Sequence, residues 1–79
     1  MKVRVLYFAS LADRAGCREE DRDSRASSLA ALYAEVATTH GFTMPAERIR
    51  VAANGAFAEW SRPVADGDEI AFLPPVSGG

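Results

Sequence analysis

The sequence is poor in the residues that usually carry chemistry. It has one cysteine, one histidine, one tryptophan and one lysine in 79 residues. A lone Cys17 excludes an internal disulfide, and no C-x-x-C pair is present. With no His or Lys beside it in sequence, Cys17 reads as an ordinary thiol in a turn. His40, near a predicted helix end, reads as a C-terminal cap or an exposed side chain. One His and one Cys are too few for a zinc site, so no bound metal is expected. No run approaches the roughly 18 apolar residues of a membrane-crossing helix. Lys and Arg do not cluster with aromatics and the net charge is −2, which argues against nucleic acid as a partner. The opening Met1-Lys2-Val3-Arg4-Val5 alternates charge with valine where a secretory signal needs an unbroken apolar stretch, so the expected location is cytoplasmic. A chain this short buries only about 60% of the surface its unfolded form exposes. That leaves little room for a deep pocket lined by converging catalytic groups.

What is present is a run of compact elements. Residues 2–8 are β-branched and aromatic and predict a strand, with Val3, Val5 and Tyr7 on one face and Leu6 and Phe8 on the other. Residues 10–16 predict a short helical turn, capped by Ser10 and ended by Gly16. Residues 17–25 hold nothing strongly apolar and read as a loop or a solvated edge strand, where charge blocks edge-to-edge pairing. Ser27 or Ser28 then caps a helix whose Leu29, Leu32, Tyr33, Val36 and Ala37 form one apolar stripe, and Gly41 ends it. Residues 48–53 predict a strand, Asn54-Gly55 a type I′ hairpin turn, and 56–60 the returning strand. Asp66-Gly67-Asp68 is a turn with too few ligands for calcium, and 69–73 is the last strand. The order β-β-α-β-β-β with one amphipathic helix predicts an α+β, β-grasp (ubiquitin-like) fold. Its mixed sheet carries one main helix on one face. The first and last strands pair in parallel at the centre, and the other sheet face is left open. By alternation Leu6, Phe8, Phe57 and Leu73 fall on that open face as an apolar patch for a partner, and Trp60 is core or sheet-edge packing.

The domain is expected to span 1–73, with 74–79 an extended tail. Pro74-Pro75 stops the strand, because neither residue has an N–H to give. Residues 74–79 reach roughly 20 Å when extended, enough to enter a cavity in another protein. Glycine at Gly78 and Gly79 threads a narrow channel and leaves the terminal carbonyl open to attack. The terminal carboxyl, with a reference pKa of about 3.3–3.7, is ionised at neutral pH. It is then a poor electrophile until activated, typically as an acyl-adenylate.

The stretch Asp66-Gly67-Asp68-Glu69-Ile70-Ala71-Phe72-Leu73-Pro74-Pro75-Val76-Ser77-Gly78-Gly79 resembles the C-terminus of the small subunits of molybdopterin synthase. Val5-Leu6-Tyr7-Phe8-Ala9 with Leu11 and Gly16 is similar to that family's opening, and Val51-Ala52-Ala53-Asn54-Gly55 to its central hairpin. The charged 17–25 segment departs from the family, which usually carries apolar residues in its second strand. The resemblance implies a sulfur carrier with no bound cofactor. A partner enzyme adenylates the Gly79 carboxylate with ATP and sulfur transfer makes it a thiocarboxylate. The tail, Pro74 to Gly79 with Val76 and Ser77 in it, enters the large synthase subunit of a heterotetramer. There it donates sulfur to cyclic pyranopterin monophosphate for molybdenum cofactor biosynthesis. Phe8, Phe57 and Leu73 would bind the partner. On this reading the chain is not catalytic alone. Three alternatives remain: a carrier for another pathway such as thiamine thiazole synthesis, a ubiquitin-like protein modifier, and a plain binding module with an inert tail.

Overall fold

A computed structural model describes residues 1–75 of the chain. The elements run β1 (Lys2–Tyr7), α1 (Ala9–Ala15), β2 (Glu19–Asp23), α2 (Leu29–His40), a 3₁₀ turn (Ala46–Arg48), β3 (Arg50–Ala53), β4 (Ala56–Phe57) and β5 (Glu69–Leu73). The strands pair in the order β2-β1-β5-β3-β4. β1 and β5 are parallel, with Val5 opposite Ile70 and Tyr7 opposite Phe72, and the other pairings are antiparallel. This is the mixed sheet of a β-grasp, with its first and last strands side by side at the centre.

Alternation puts Val3, Val5, Tyr7, Val51, Ala53, Ile70 and Phe72 on one face, all buried. The stripe Leu29, Leu32, Tyr33 and Val36 of α2 covers them, and Tyr33 meets Phe72 edge-on at 5.2 Å. The helix begins where its first donors find acceptors. Ser28 Oγ accepts from the Ala31 N–H, while the Leu29 and Ala30 N–H groups donate to the carbonyls of Arg62 and Trp60. It ends at Gly41, whose φ of 74° is the left-handed conformation a Cβ would strain. At the hairpin Asn54 and Gly55 both have positive φ, 52° and 87°, as a type I′ turn requires.

Of the two readings of residues 17–25, the solvated edge strand is the one found: β2 stands at the sheet edge and pairs with β1 along its length, from Lys2 opposite Asp23 to Leu6 opposite Glu19. Two local expectations are corrected. Ser10 does not cap the first helix. Phe8 occupies the cap position, its carbonyl takes the Leu11 N–H at 3.1 Å, and Ser10 lies inside the helix. The returning strand stops at Phe57 rather than at 60. The chain leaves the sheet there because Trp60 turns in to stack on Phe72, 6.1 Å away and 8° from parallel, and the Arg62 N–H closes a turn onto Glu59.

Candidate functional site

Among the described residues no helix packs on the face of the sheet opposite α2, and the register sets its side chains in rows. Leu6, Ala71, Ala52 and Phe57 line up across β1, β5, β3 and β4. One row nearer the end where β5 stops, Leu73 stands beside Arg50, and Phe8 follows Leu6 by alternation. Phe57 is 62% exposed and Phe8 44%, so two aromatic rings meet solvent while Leu6, Ala52, Ala71 and Leu73 are half-buried between them. The Arg50 guanidinium lies over the Phe57 ring, 4.0 Å from its centroid. Beside β1 an open recess of about 420 Å³ is lined by Leu6, Phe8, Ala9, Ala12, Arg18 and Glu19, among others.

The far half of the same face is polar. Arg4 stands between Glu69 and Asp21 in the register and bonds Asp21 at 3.2 Å. The apolar half is therefore the half from which the chain continues past Leu73. Pro74 is half-buried and Pro75 exposed. Val76, Ser77, Gly78 and Gly79, the core of the expected tail, lie outside the described residues.

A second polar assembly was not anticipated from the sequence. Glu20 and Arg22 stand opposite Val5 and Val3, so parity turns them towards α2, where a core residue would be expected. There the Tyr7 hydroxyl donates to Glu20 at 2.6 Å and His40 Nε2 lies 3.1 Å from the same oxygen. Arg22 reaches Glu35 at 2.7 Å, Glu20 at 3.3 Å and the Thr39 hydroxyl at 3.0 Å, and the Ser24 hydroxyl donates to Glu35. Burial pushes the Glu20 pKa up, but the hydrogen bonds from Tyr7, His40 and Arg22 outweigh it and hold the carboxyl below its usual range. Burial and the bond to Glu20 push the Tyr7 phenol well above its ordinary value. His40 is thus neither a cap nor exposed; it bonds Glu20 on β2. The pattern that announces this seam is the pair Glu20 and Arg22 at strand spacing beside Glu35 and Thr39 at helical spacing. Every polar side-chain atom buried in it has a partner, which makes it a structural joint rather than a reactive centre.

Asp68 forms a third cluster. It is buried, and it accepts from Asn54 Nδ2, Arg62 Nη1 and the Ala65 N–H at 2.9, 3.0 and 2.8 Å. Arg62, then Asn54 and the Ala65 N–H, hold its carboxyl down at about 2. Cys17 is half-buried and in no disulfide. Among the described residues no group of three or more His, Cys, Asp or Glu side chains is arranged to hold a metal ion, and no helix is long and apolar enough to cross a membrane. Among the described residues, the open face presents its exposed aromatic rings as a surface.

Comparison with known proteins agrees with that geometry. Residues 5–79 match the model of the ThiS family. The chain is 32% identical to the molybdopterin synthase sulfur carrier subunit of Mycobacterium tuberculosis, covering 100% of this chain and 99% of that one. It is 28% identical to the protein of the same name from Escherichia coli, over 98% and 99% of the two chains. Among solved structures it is similar to the modifier protein SAMP1 of Haloferax volcanii, with a TM-score of 0.84, 29% identity and full coverage of both chains. A complex of subunits 1 and 2 of the molybdopterin-converting factor from Helicobacter pylori contains a chain 28% identical, with a TM-score of 0.69 and full coverage of both. With a family match that runs from β1 through Gly79, on a sheet paired as a β-grasp requires, the chain belongs to the ThiS family.

Proposed function

We propose that this chain is the sulfur carrier subunit of a molybdopterin synthase. The observation that carries the reading is positional: the apolar half of the open face ends at Leu73, and the Pro-Pro-Val-Ser-Gly-Gly stretch follows directly. A partner that covers Phe8, Leu73 and Phe57 takes hold of the domain beside the root of the tail. Full-length likeness to two sulfur carrier subunits supports the cargo. The Helicobacter pylori complex supports a large-subunit partner.

The chemistry follows from a terminal glycine. The Gly79 carboxylate attacks the α-phosphate of ATP on an activating enzyme, giving a glycyl adenylate and pyrophosphate. A sulfur donor at the sulfide level displaces AMP and leaves a thiocarboxylate, in which sulfur has replaced one oxygen. Its sulfur then attacks a carbon of cyclic pyranopterin monophosphate and displaces the oxygen bound there, so one C–S bond forms as one C–O bond breaks. Water cleaves the resulting thioester, so sulfur stays on the substrate and the Gly79 carboxylate is regenerated. Gly78 and Gly79, having no Cβ, leave the carbonyl accessible at each step. The large subunit, two copies of each chain to a synthase, supplies the pocket, and the domain supplies recognition.

The test is intact-mass spectrometry of the chain purified from its own cells, paired with molybdoenzyme activity in a strain lacking Gly79. A mass gain equal to sulfur replacing one oxygen, and loss of activity on deletion, are expected. Neither being found would sink the proposal. The similarity to SAMP1 favours a second reading, a protein modifier joined to lysines through the same carboxylate. A ladder of high-mass conjugates that vanishes when Gly79 is deleted would favour that reading instead.

A further inference from the structure

Arg50 is a cation in the apolar half of the open face, beside Leu73 and Phe57, whereas Arg18 stands at the recess beside β1. Among the described residues Arg50 joins no ion pair, and its guanidinium rests on the Phe57 ring at 4.0 Å. Arg4, on the polar half, is already neutralised by Asp21 at 3.2 Å. The five N–H groups of a guanidinium lie in its own plane, so stacking on a ring leaves them free. The ring also restricts the side chain, which removes part of the entropy cost of fixing a long cation at an interface.

We propose that Arg50 is a specificity determinant of the docking face, and that the large subunit meets it with a carboxylate. The inference rests on the function proposed above and names a feature of the partner. Charge complementarity carries it. A surface that covers Phe57 also strips water from Arg50, and a cation left unpaired there opposes docking. A carboxylate placed against the guanidinium relieves that cost and fixes the angle of approach through two parallel hydrogen bonds. An apolar partner lacking the acid is disfavoured, so Arg50 separates the correct large subunit from other proteins that present an apolar surface.

The experiment is calorimetric titration of the full chain with the large subunit of the same organism, at low and moderate salt. The variants are R50K, R50Q and R50E. Arg50 is exposed, and unchanged circular dichroism and melting confirm that each variant folds. R50Q is expected to weaken binding about tenfold, R50E further, and R50K by less than R50Q, because lysine keeps the charge but loses the fork. The salt dependence of wild-type binding should flatten in R50Q. Wild-type binding that R50Q and R50E leave unchanged, or strengthen, overturns the role of Arg50 and leaves the proposed function standing. A wild-type chain that does not bind the large subunit overturns both.

Discussion

The Tyr7 hydroxyl and the Glu20 carboxylate meet at 2.6 Å across the seam between β1 and β2. This contact ties a charged edge strand to the core, and the two partners are not equivalent. Y7F removes one donor and leaves Glu20 its bonds to His40 and Arg22. It should cost about 1 kcal/mol. E20L takes the shared acceptor from Tyr7, His40 and Arg22 together and should cost about 3 kcal/mol. Urea unfolding midpoints of the two variants check the order, which reverses if β2 is held by backbone pairing alone.

Acid should loosen the turn before β5. The Asp68 carboxyl titrates at about 2 in the folded chain against an ordinary 3.8. Its pKa is depressed on folding, so its contribution is present above the ordinary value and is lost as pH falls from about 4 towards 2. The difference corresponds to about 2 kcal/mol at neutral pH. D68N should lower stability by that order at pH 7 and flatten the pH dependence between 4 and 2, measured by thermal melting.

The start of α2 rests on the Ser28 hydroxyl, which accepts the Ala31 N–H at 3.2 Å. S28A should cost about 1 kcal/mol. S28D, which keeps the acceptor and adds charge favourable to a helix N-terminus, should cost less. Chemical denaturation distinguishes them.

Two phenylalanines on opposite faces of the sheet should separate stability from recognition. Phe72 is fully buried against Tyr33 and Trp60, and F72A should cost about 3–5 kcal/mol with a red shift of Trp60 fluorescence. Phe57 is 62% exposed, and F57A should change the melting temperature little while weakening capture by the large subunit. Equal effects of both on melting would contradict the open face.

Most of the fold was legible because hydrophobic parity and turn chemistry agree. Val3, Val5 and Tyr7, then Ile70 and Phe72, alternate into the core as the sequence alone indicates, and Asn54-Gly55 and Gly41 mark their turns. The open-face residues Leu6, Phe8, Phe57 and Leu73 follow from the same parity. β2 was hard to see because its inward positions are Glu20 and Arg22, and an apolar pattern cannot signal a strand held to its helix by the Arg22–Glu35 ion pair and by hydrogen bonds to Thr39 and His40. His40 was misjudged for the same reason, since its partner lies 20 residues away in sequence. The early end of β4 was invisible because it depends on where Trp60 finds a ring to stack on.

The parallel pairing of β1 with β5 joins the earliest strand of the chain to the latest one described. A ribosome must therefore release residues 69–73 before the middle of the sheet exists. Until then Val5, Tyr7 and the stripe of α2 have no strand to close on, because Ile70 and Phe72 are missing. Synthesis that stalls before that point yields a chain with an exposed core, which proteases remove. Progress of translation is thus read out by foldedness itself: a chain that survives has been translated at least as far as Leu73.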